Sequence, residues 1–242
     1  MKTFSITDAG AIREMNQDFY FSSDTAVGNL PNLFIVADGM GGHKAGDYAS
    51  RYTIERVVAS VSRNAGDEPV SIIKEAIKKA NELLVAESRE DEAKRGMGTT
   101  LVIGTIIGNK LFVANIGDSR LYIVGGTEQI RQITRDHSLV DEMVRMGEIN
   151  ADEARVHPDK NIITRAVGAA DHVEADFFEV ELCEDDRILL CTDGLTNMVR
   201  DEEICDTIRQ NDNIETAASQ LVAMANANGG RDNITVMIIK PF

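Results

Sequence analysis

The chain has 242 residues, 43% of them hydrophobic, which is enough for one continuous buried core. Its 40 acidic against 25 basic side chains leave a net charge of −15, which repels a nucleic-acid backbone and argues against a nucleic-acid partner. Met1 to Ser5 hold no apolar signal-peptide core and no later run is long and apolar enough to cross a bilayer, so the expectation is a soluble, cytoplasmic protein.

In chain order, the first clear strand is the apolar run Leu33 to Ala37. Ile54, Val57, Val58 and Val61 then share one helical face, and so do Val70, Ile73, Ile77, Ala80 and Leu84. The polar stretch 62–68 joins these two helices, with Pro69 in the first turn of the second. Leu101 to Ile107 and Leu111 to Ile116 read as strands joined by the hairpin signal Gly108-Asn109, and Leu121 to Val124 as another. From about 139 to 168 the chain is charged and irregular, with Gly147, Asn150 and His157-Pro158, and is expected to form a mobile flap. Arg187 to Cys191 and Ile234 to Ile239 are strands, and Ile214, Ala218, Leu221 and Ala225 mark a helix between them. Strands in consecutive runs followed by pairs of helices predict an α+β fold with antiparallel sheets, in one domain spanning 1–242. Cys183, Cys191 and Cys205 form no C-x-x-C pair, and an odd count without an export signal predicts reduced thiols, with Cys191 packed in the core.

The apolar strands end in acidic residues. Leu33 to Ala37 stops at Asp38-Gly39, Arg187 to Cys191 runs through Thr192 into Asp193-Gly194, and Leu111 to Ile116 ends in Gly117-Asp118. Asp232-Asn233 precedes its strand, so an antiparallel arrangement brings Asp232 to the same edge. Taken singly, each Asp-Gly is an ordinary turn; the argument rests on the set. Two carboxylates about 4 Å apart repel by about 4 kcal/mol at an effective dielectric of about 20, so such a cluster calls for protons or cations. An all-oxygen site suits Mg²⁺ or Mn²⁺, whereas zinc would call for His or Cys ligands.

Arg13-Glu14-Met15-Asn16-Gln17-Asp18, Asp38-Gly39-Met40-Gly41-Gly42-His43, Gly98-Thr99-Thr100, Gly117-Asp118-Ser119-Arg120, Thr192-Asp193-Gly194 and Asp232-Asn233-Ile234-Thr235 occur in this order across nearly the whole chain. With them the sequence closely resembles the PPM-type (type 2C) metal-dependent protein serine/threonine phosphatases in their short bacterial form. The resemblance implies a sandwich of two antiparallel β-sheets flanked by pairs of helices, with metal at one edge. It implies that Asp38 bridges two ions, that the Gly39 carbonyl joins one, that Asp193 and Asp232 hold the other, and that Asp118 binds a weaker third. Asp18 is then placed to hold a metal-bound water. Gln17 stands where a glutamate is usual, which weakens one metal contact. Met40 stands where eukaryotic relatives carry histidine, which leaves the general acid open. The implied partners are phosphoprotein substrates, among them a serine/threonine kinase, with the chain acting as a monomer.

In such a site a water bridging two ions loses its proton near neutral pH and attacks phosphorus in line, without a phosphoenzyme. Arg13 is the candidate phosphate clamp, because a guanidinium matches phosphate oxygens bidentately and the resemblance implies the same. His43 either faces the site as acid or base, or caps its loop. Asp136-His137-Ser138 invites a triad reading, but Ser138 with Asp141 three residues on is a helix capping box. A phosphatase devoted to one small regulatory phosphoprotein, a two-metal nuclease and a silent binding module on the same fold are the other readings. The acidic surface counts against the nuclease and the intact aspartates against the silent module.

Overall fold

The computed structural model describes residues 1–42, 45–125 and 130–242. Two antiparallel sheets form its centre. The first contains, in spatial order, β1 (Lys2–Asp8), β11 (Ile234–Lys240), β10 (Arg187–Cys191), β7 (Arg120–Val124) and β8 (Arg131–Gln132). The second runs β2 (Asp18–Ser23), β3 (Leu33–Met40), β5 (Leu101–Ile107), β6 (Lys110–Ile116) and β9 (Asp176–Glu181), with the short β4 (Gly98–Thr99) also on β3. Helices α1 (Ala45–Arg63) and α2 (Pro69–Glu90) cover the second sheet, and α6 (Asp201–Gln210) and α7 (Ile214–Ala227) cover the first.

Both faces of each sheet are buried, so the strands read as near-continuous apolar runs and the two-residue period sorts them. In β3, Leu33, Ile35 and Ala37 pack with Ile54, Val57 and Ile73 of the helices, while Phe34 and Val36 face Ile188, Leu190, Met237 and Ile239 of the other sheet. In β10 and β11, Leu189, Cys191, Val236 and Ile238 turn the other way, onto Ile204, Ile208 and Leu221. Three apolar layers result, one between the sheets and one under each helix pair. Continuing the same parity past the apolar runs puts Asp38, Thr192 and Thr235 on the inner faces. Asp18, directly opposite Asp38 in the β2–β3 ladder, joins them at the mouth of the sandwich.

The expected strands and helices are all present, and Pro69 opens α2 after a cap in which Glu68 accepts from Ser71 N–H. Gly108, at φ 61°, turns the hairpin between β5 and β6. Five further strands, β1, β2, β9 and the two-residue β4 and β8, complete the sheets. The stretch from 139 to 168 is more regular than its composition predicts, with α3 (Leu139–Met146) and α4 (Ala151–Val156). Ser138 Oγ accepts from Asp141 N–H at the start of α3, and Asn150 with Glu153 forms a reciprocal capping box on α4. The cysteines are unpaired, and Cys191 is fully buried. Among the described residues no helix is long and apolar enough to cross a membrane.

Asn32, just before β3, acts as a piece of strand. Its Nδ2 donates to the Ile106 carbonyl and its Oδ1 accepts from Ile106 N–H, both at 2.7 Å. Asn32→Ala strands two buried backbone groups and should lower stability by about 3 kcal/mol, read as a shift of the urea midpoint at unchanged slope.

Candidate functional site

The mouth of the sandwich gathers Asp18, Asp38, Asp118, Asp193 and Asp232. Asp38 ends the inner face of β3 and is fixed through its backbone: its N–H donates to Thr100 Oγ1 at 2.8 Å, and its carbonyl accepts from Thr99 Oγ1 and Thr100 N–H. Asp193 opens the short α5 (Asp193–Thr196), where its Oδ2 accepts from Asn197 Nδ2 at 2.8 Å. Asp232 stands just before β11; its Oδ1 accepts from Asn233 N–H and its Oδ2 from Arg13 Nη2 at 2.8 Å. Asp118 follows Gly117 on the turn from β6 to β7.

Asp18 reaches across the sandwich. Its Oδ2 accepts from Thr192 Oγ1 at 2.8 Å, just past the end of β10, and from Thr235 Oγ1 at 2.7 Å, in β11 of the opposite sheet. Thr192 Oγ1 in turn accepts from Thr235 N–H. Among the described residues neither Asp18 Oδ1 nor Asp193 Oδ1 has a hydrogen-bond partner, although both are buried. The sequence reading missed these threonines; their signal is their place in Thr192-Asp193-Gly194 and Asp232-Asn233-Ile234-Thr235, combined with strand parity. It also missed Asn233, whose Oδ1 accepts from Gln17 N–H and whose Nδ2 donates to the Ala9 and Met15 carbonyls. That amide shapes the loop carrying Arg13. His43 lies outside the described residues.

The carboxylates raise one another's affinity for protons. Burial pushes Asp18 up to about 7 against the two threonine hydroxyls, with Asp193 and Asp232 adding to the rise. Asp193 is pushed up to about 6, first by burial and then by Asp232, with Arg120 opposing. Asp38 is held well above the usual carboxylate range by burial and by Asp18, Asp193, Asp118 and Asp232. Asp118 rises likewise through burial, Asp193 and Asp136.

The donor set fits a hard divalent cation. It is all oxygen, it includes two buried carboxylate oxygens without partners, and its mutual repulsion is what a cation removes. Gly46 keeps the Gly39 carbonyl open, since a Cβ there would stand 2.6 Å from that oxygen. Among the described residues no group of three His, Cys, Asp or Glu side chains is already placed to hold an ion. The carboxylates would therefore need the Gly39 carbonyl and water to complete a shell. A cavity of about 370 Å³ adjoins Asp118 and Asp193 and runs between α3 and α4 on one side and α5 and α6 on the other. Arg155 and Lys160 cross it, donating to the Thr196 carbonyl and to Asn197 Oδ1.

The electrostatics predict how the metal-free protein responds to pH. Asp18 and Asp193 titrate at about 7 and about 6 when folded, against 3.8 ordinarily, so the folded chain binds more protons than the unfolded chain between those limits. Stability then falls as pH rises from about 4 through about 7. In a chelator the melting temperature should drop between pH 5 and pH 7.5; Mn²⁺ should abolish the drop and Asp38→Asn should shrink it. A flat or rising profile in the chelator would contradict the repulsion.

Residues 10–234 match the family model of protein phosphatase 2C. The serine/threonine phosphatase Stp of Listeria welshimeri is 38% identical over 242 residues, covering 97% of this chain and 93% of that protein. The protein phosphatase PhpP of Streptococcus pneumoniae is 39% identical over 245 residues, covering 99% and 97%. The crystal structure of Stp1 from Staphylococcus aureus superposes with a TM-score of 0.91 at 34% identity, covering 98% of this chain and 93% of that one. The catalytic domain of PstP, in complex with two manganese ions, gives 0.85 at 32% identity, covering 98% and 96%. With the fold shared at these TM-scores and a match over nearly its whole length, the chain belongs to the protein phosphatase 2C family.

Proposed function

We propose that this chain hydrolyses phosphoserine and phosphothreonine side chains of proteins in a reaction dependent on Mn²⁺ or Mg²⁺, opposing a serine/threonine kinase. The observation that carries the reading is the convergence of Asp18, Asp38, Asp118, Asp193 and Asp232 at one mouth of the sandwich, with two buried carboxylate oxygens that have no partner among the described residues. The family membership and the manganese complex of PstP support the metal.

Asp38 would lie between two ions, the Gly39 carbonyl on one, Asp193 and Asp232 on the other, and Asp118 on a weaker third. When bound, the ions would supply an activated water and neutralise charge on the phosphoryl oxygens during in-line displacement. Asp18 Oδ2 is saturated by two threonines, which leaves Oδ1 to accept from water and orient it. Arg13 holds Asp232 with one nitrogen, and half of its side chain is open to solvent, where its donors can meet phosphoryl oxygens. The segment 139–168 is proposed as the mobile flap. Val140, 9% exposed, is the one buried side chain of its two helices, and Arg155 and Lys160 hold the segment to α5. His43 is proposed as the group that protonates the leaving oxygen.

Phosphate release in Mn²⁺ from phosphoserine, phosphothreonine and phosphotyrosine peptides and from a nucleic-acid phosphodiester tests the substrate class, with the first two expected to be favoured strongly. Asp38→Ala and Asp193→Ala should fold and lose nearly all turnover; wild-type rates in saturating Mn²⁺ would remove them from the metal shell.

The role of His43 depends on the leaving group. A seryl alkoxide needs a proton as its bond breaks, whereas nitrophenolate departs unaided. His43→Ala should cost about 10²-fold on a phosphoserine peptide and far less on nitrophenyl phosphate. Equal losses would make His43 structural.

A further inference from the structure

Asp136-His137-Ser138 has a use that neither a triad nor a helix cap explains. Ser138 caps α3, but the two residues before it both reach the turn that carries Asp118. Gly117 N–H donates to His137 Nδ1 at 3.0 Å, and His137 N–H donates back to the Gly117 carbonyl at 3.0 Å. On the other side of Asp118, Arg120 grips the Asp136 carboxylate bidentately, Nε to Oδ1 at 2.9 Å and Nη2 to Oδ2 at 2.7 Å. Two adjacent residues thus hold the residue before Asp118 and the residue two after it.

Each part of this clamp is fixed elsewhere. His137 is 7% exposed. An N–H can only donate, so Nδ1 carries no proton and Nε2 does. Nε2 stands 3.3 Å from Asp176 Oδ2, an electrostatic approach without hydrogen-bond geometry, and Arg165 donates to the other oxygen of that carboxylate. Asp136 also accepts from Gln132 Nε2, and Arg120 Nη1 donates to Tyr122 Oη. Gly117 sits at φ 98° and a Cβ there would stand 2.6 Å from Thr100 Cγ2, so the turn is held against the strand pair that carries Asp38. Asp118, by contrast, lies on a turn outside any strand or helix, so its aim depends on what grips the turn.

We infer that Asp136 and His137 are positioning residues that aim Asp118 into the carboxylate cluster, His137 acting through the acceptor at Nδ1. The inference rests on the reading that Asp118 holds the weaker ion. Groups behind a metal ligand typically tune affinity by about 10- to 100-fold. In Asn, Oδ1 is as many bonds from the backbone as Nδ1 is in His, whereas the amide oxygen of Gln lies one bond further out and Leu offers no acceptor.

The test is calorimetric titration of the full chain with Mn²⁺, beside melting temperature and the Mn²⁺ dependence of turnover. His137→Leu and His137→Gln should weaken the weak site at least about tenfold with the tight sites intact, and His137→Asn should stay within about threefold of wild type. Should His137→Leu fail to fold, the contrast between Asn and Gln decides. A weak site unchanged in Leu and Gln, or lost equally in Asn, overturns the clamp. Asp118→Ala distinguishes the two levels: if it keeps the weak site, the ligand reading falls and the inference with it, whatever the His137 variants do.

Discussion

The structure hangs on one carboxylate that bridges two sheets. Asp18 begins β2 at the mouth of the sandwich, and its Oδ2 takes both of its hydrogens from the other sheet, from Thr192 and Thr235. Between the sheets almost everything else is apolar and non-directional, so these bonds fix how the two sheets meet at this end. They also place Asp38, directly opposite Asp18 in its ladder, across from Asp193, the neighbour of Thr192. The same contact closes the core and composes the site.

That arrangement carries an electrostatic cost which the protein limits with neutral donors. Threonine hydroxyls, the Asn197 amide and backbone N–H groups bind the carboxylates, stabilising their charged forms without occupying the space that a cation would take. The full positive charges stand back. Arg13 meets the cluster at Oδ2 of Asp232 and also donates from Nε to the Arg231 carbonyl, and Arg120 is committed to Asp136. Hydrogen bonds alone leave Asp18, Asp38, Asp118 and Asp193 all shifted upward, because burial and like charge outweigh them. The residual imbalance is a property of the fold, and a cation reduces it more effectively than any side chain present.

The antiparallel strands, their acidic ends and helices α1, α2 and α7 were legible because they depend on local patterns: apolar runs, 3.6-residue spacing and Pro69 at a helix start. The stacking of two sheets into a sandwich came only with the family resemblance, and α6 (Asp201–Gln210) was not anticipated. The edge strands were not. In β1 (Lys2–Asp8) and β9 (Asp176–Glu181) charged or polar residues stand among the apolar ones, and none is fully buried, so the alternation is weak. The 139–168 segment hides its helices because they are short and mostly exposed, although Asn150 and Glu153 spell a capping box. Asp38, Asp193 and Asp232 could be picked out because each abuts a strong strand. Thr192, Thr235 and Asn233 could not, since their partners lie far away in sequence and only the assembled sandwich brings them into reach. His137 meets Gly117 for the same tertiary reason.

The repeated Asp-Gly pair shows where the ordinary turn rule does not account for a glycine. A turn is the obvious reading, because glycine supplies positive φ, yet neither Gly39 nor Gly194 has positive φ. Gly39 lies inside β3 and Gly194 inside α5. What each needs is the absence of a side chain. A Cβ on Gly39 would stand 1.9 Å from the Gly46 carbonyl oxygen, and one on Gly194 2.0 Å from the Asn233 carbonyl oxygen. In one case the strand lies against the first turn of α1, in the other the helix start lies against the segment leading into β11. Both approaches bring backbone to within contact of the aspartate's immediate neighbour. The dipeptide therefore recurs because an acid at a crowded strand end must be followed by a residue that takes no room, and each close approach helps hold its aspartate at the mouth.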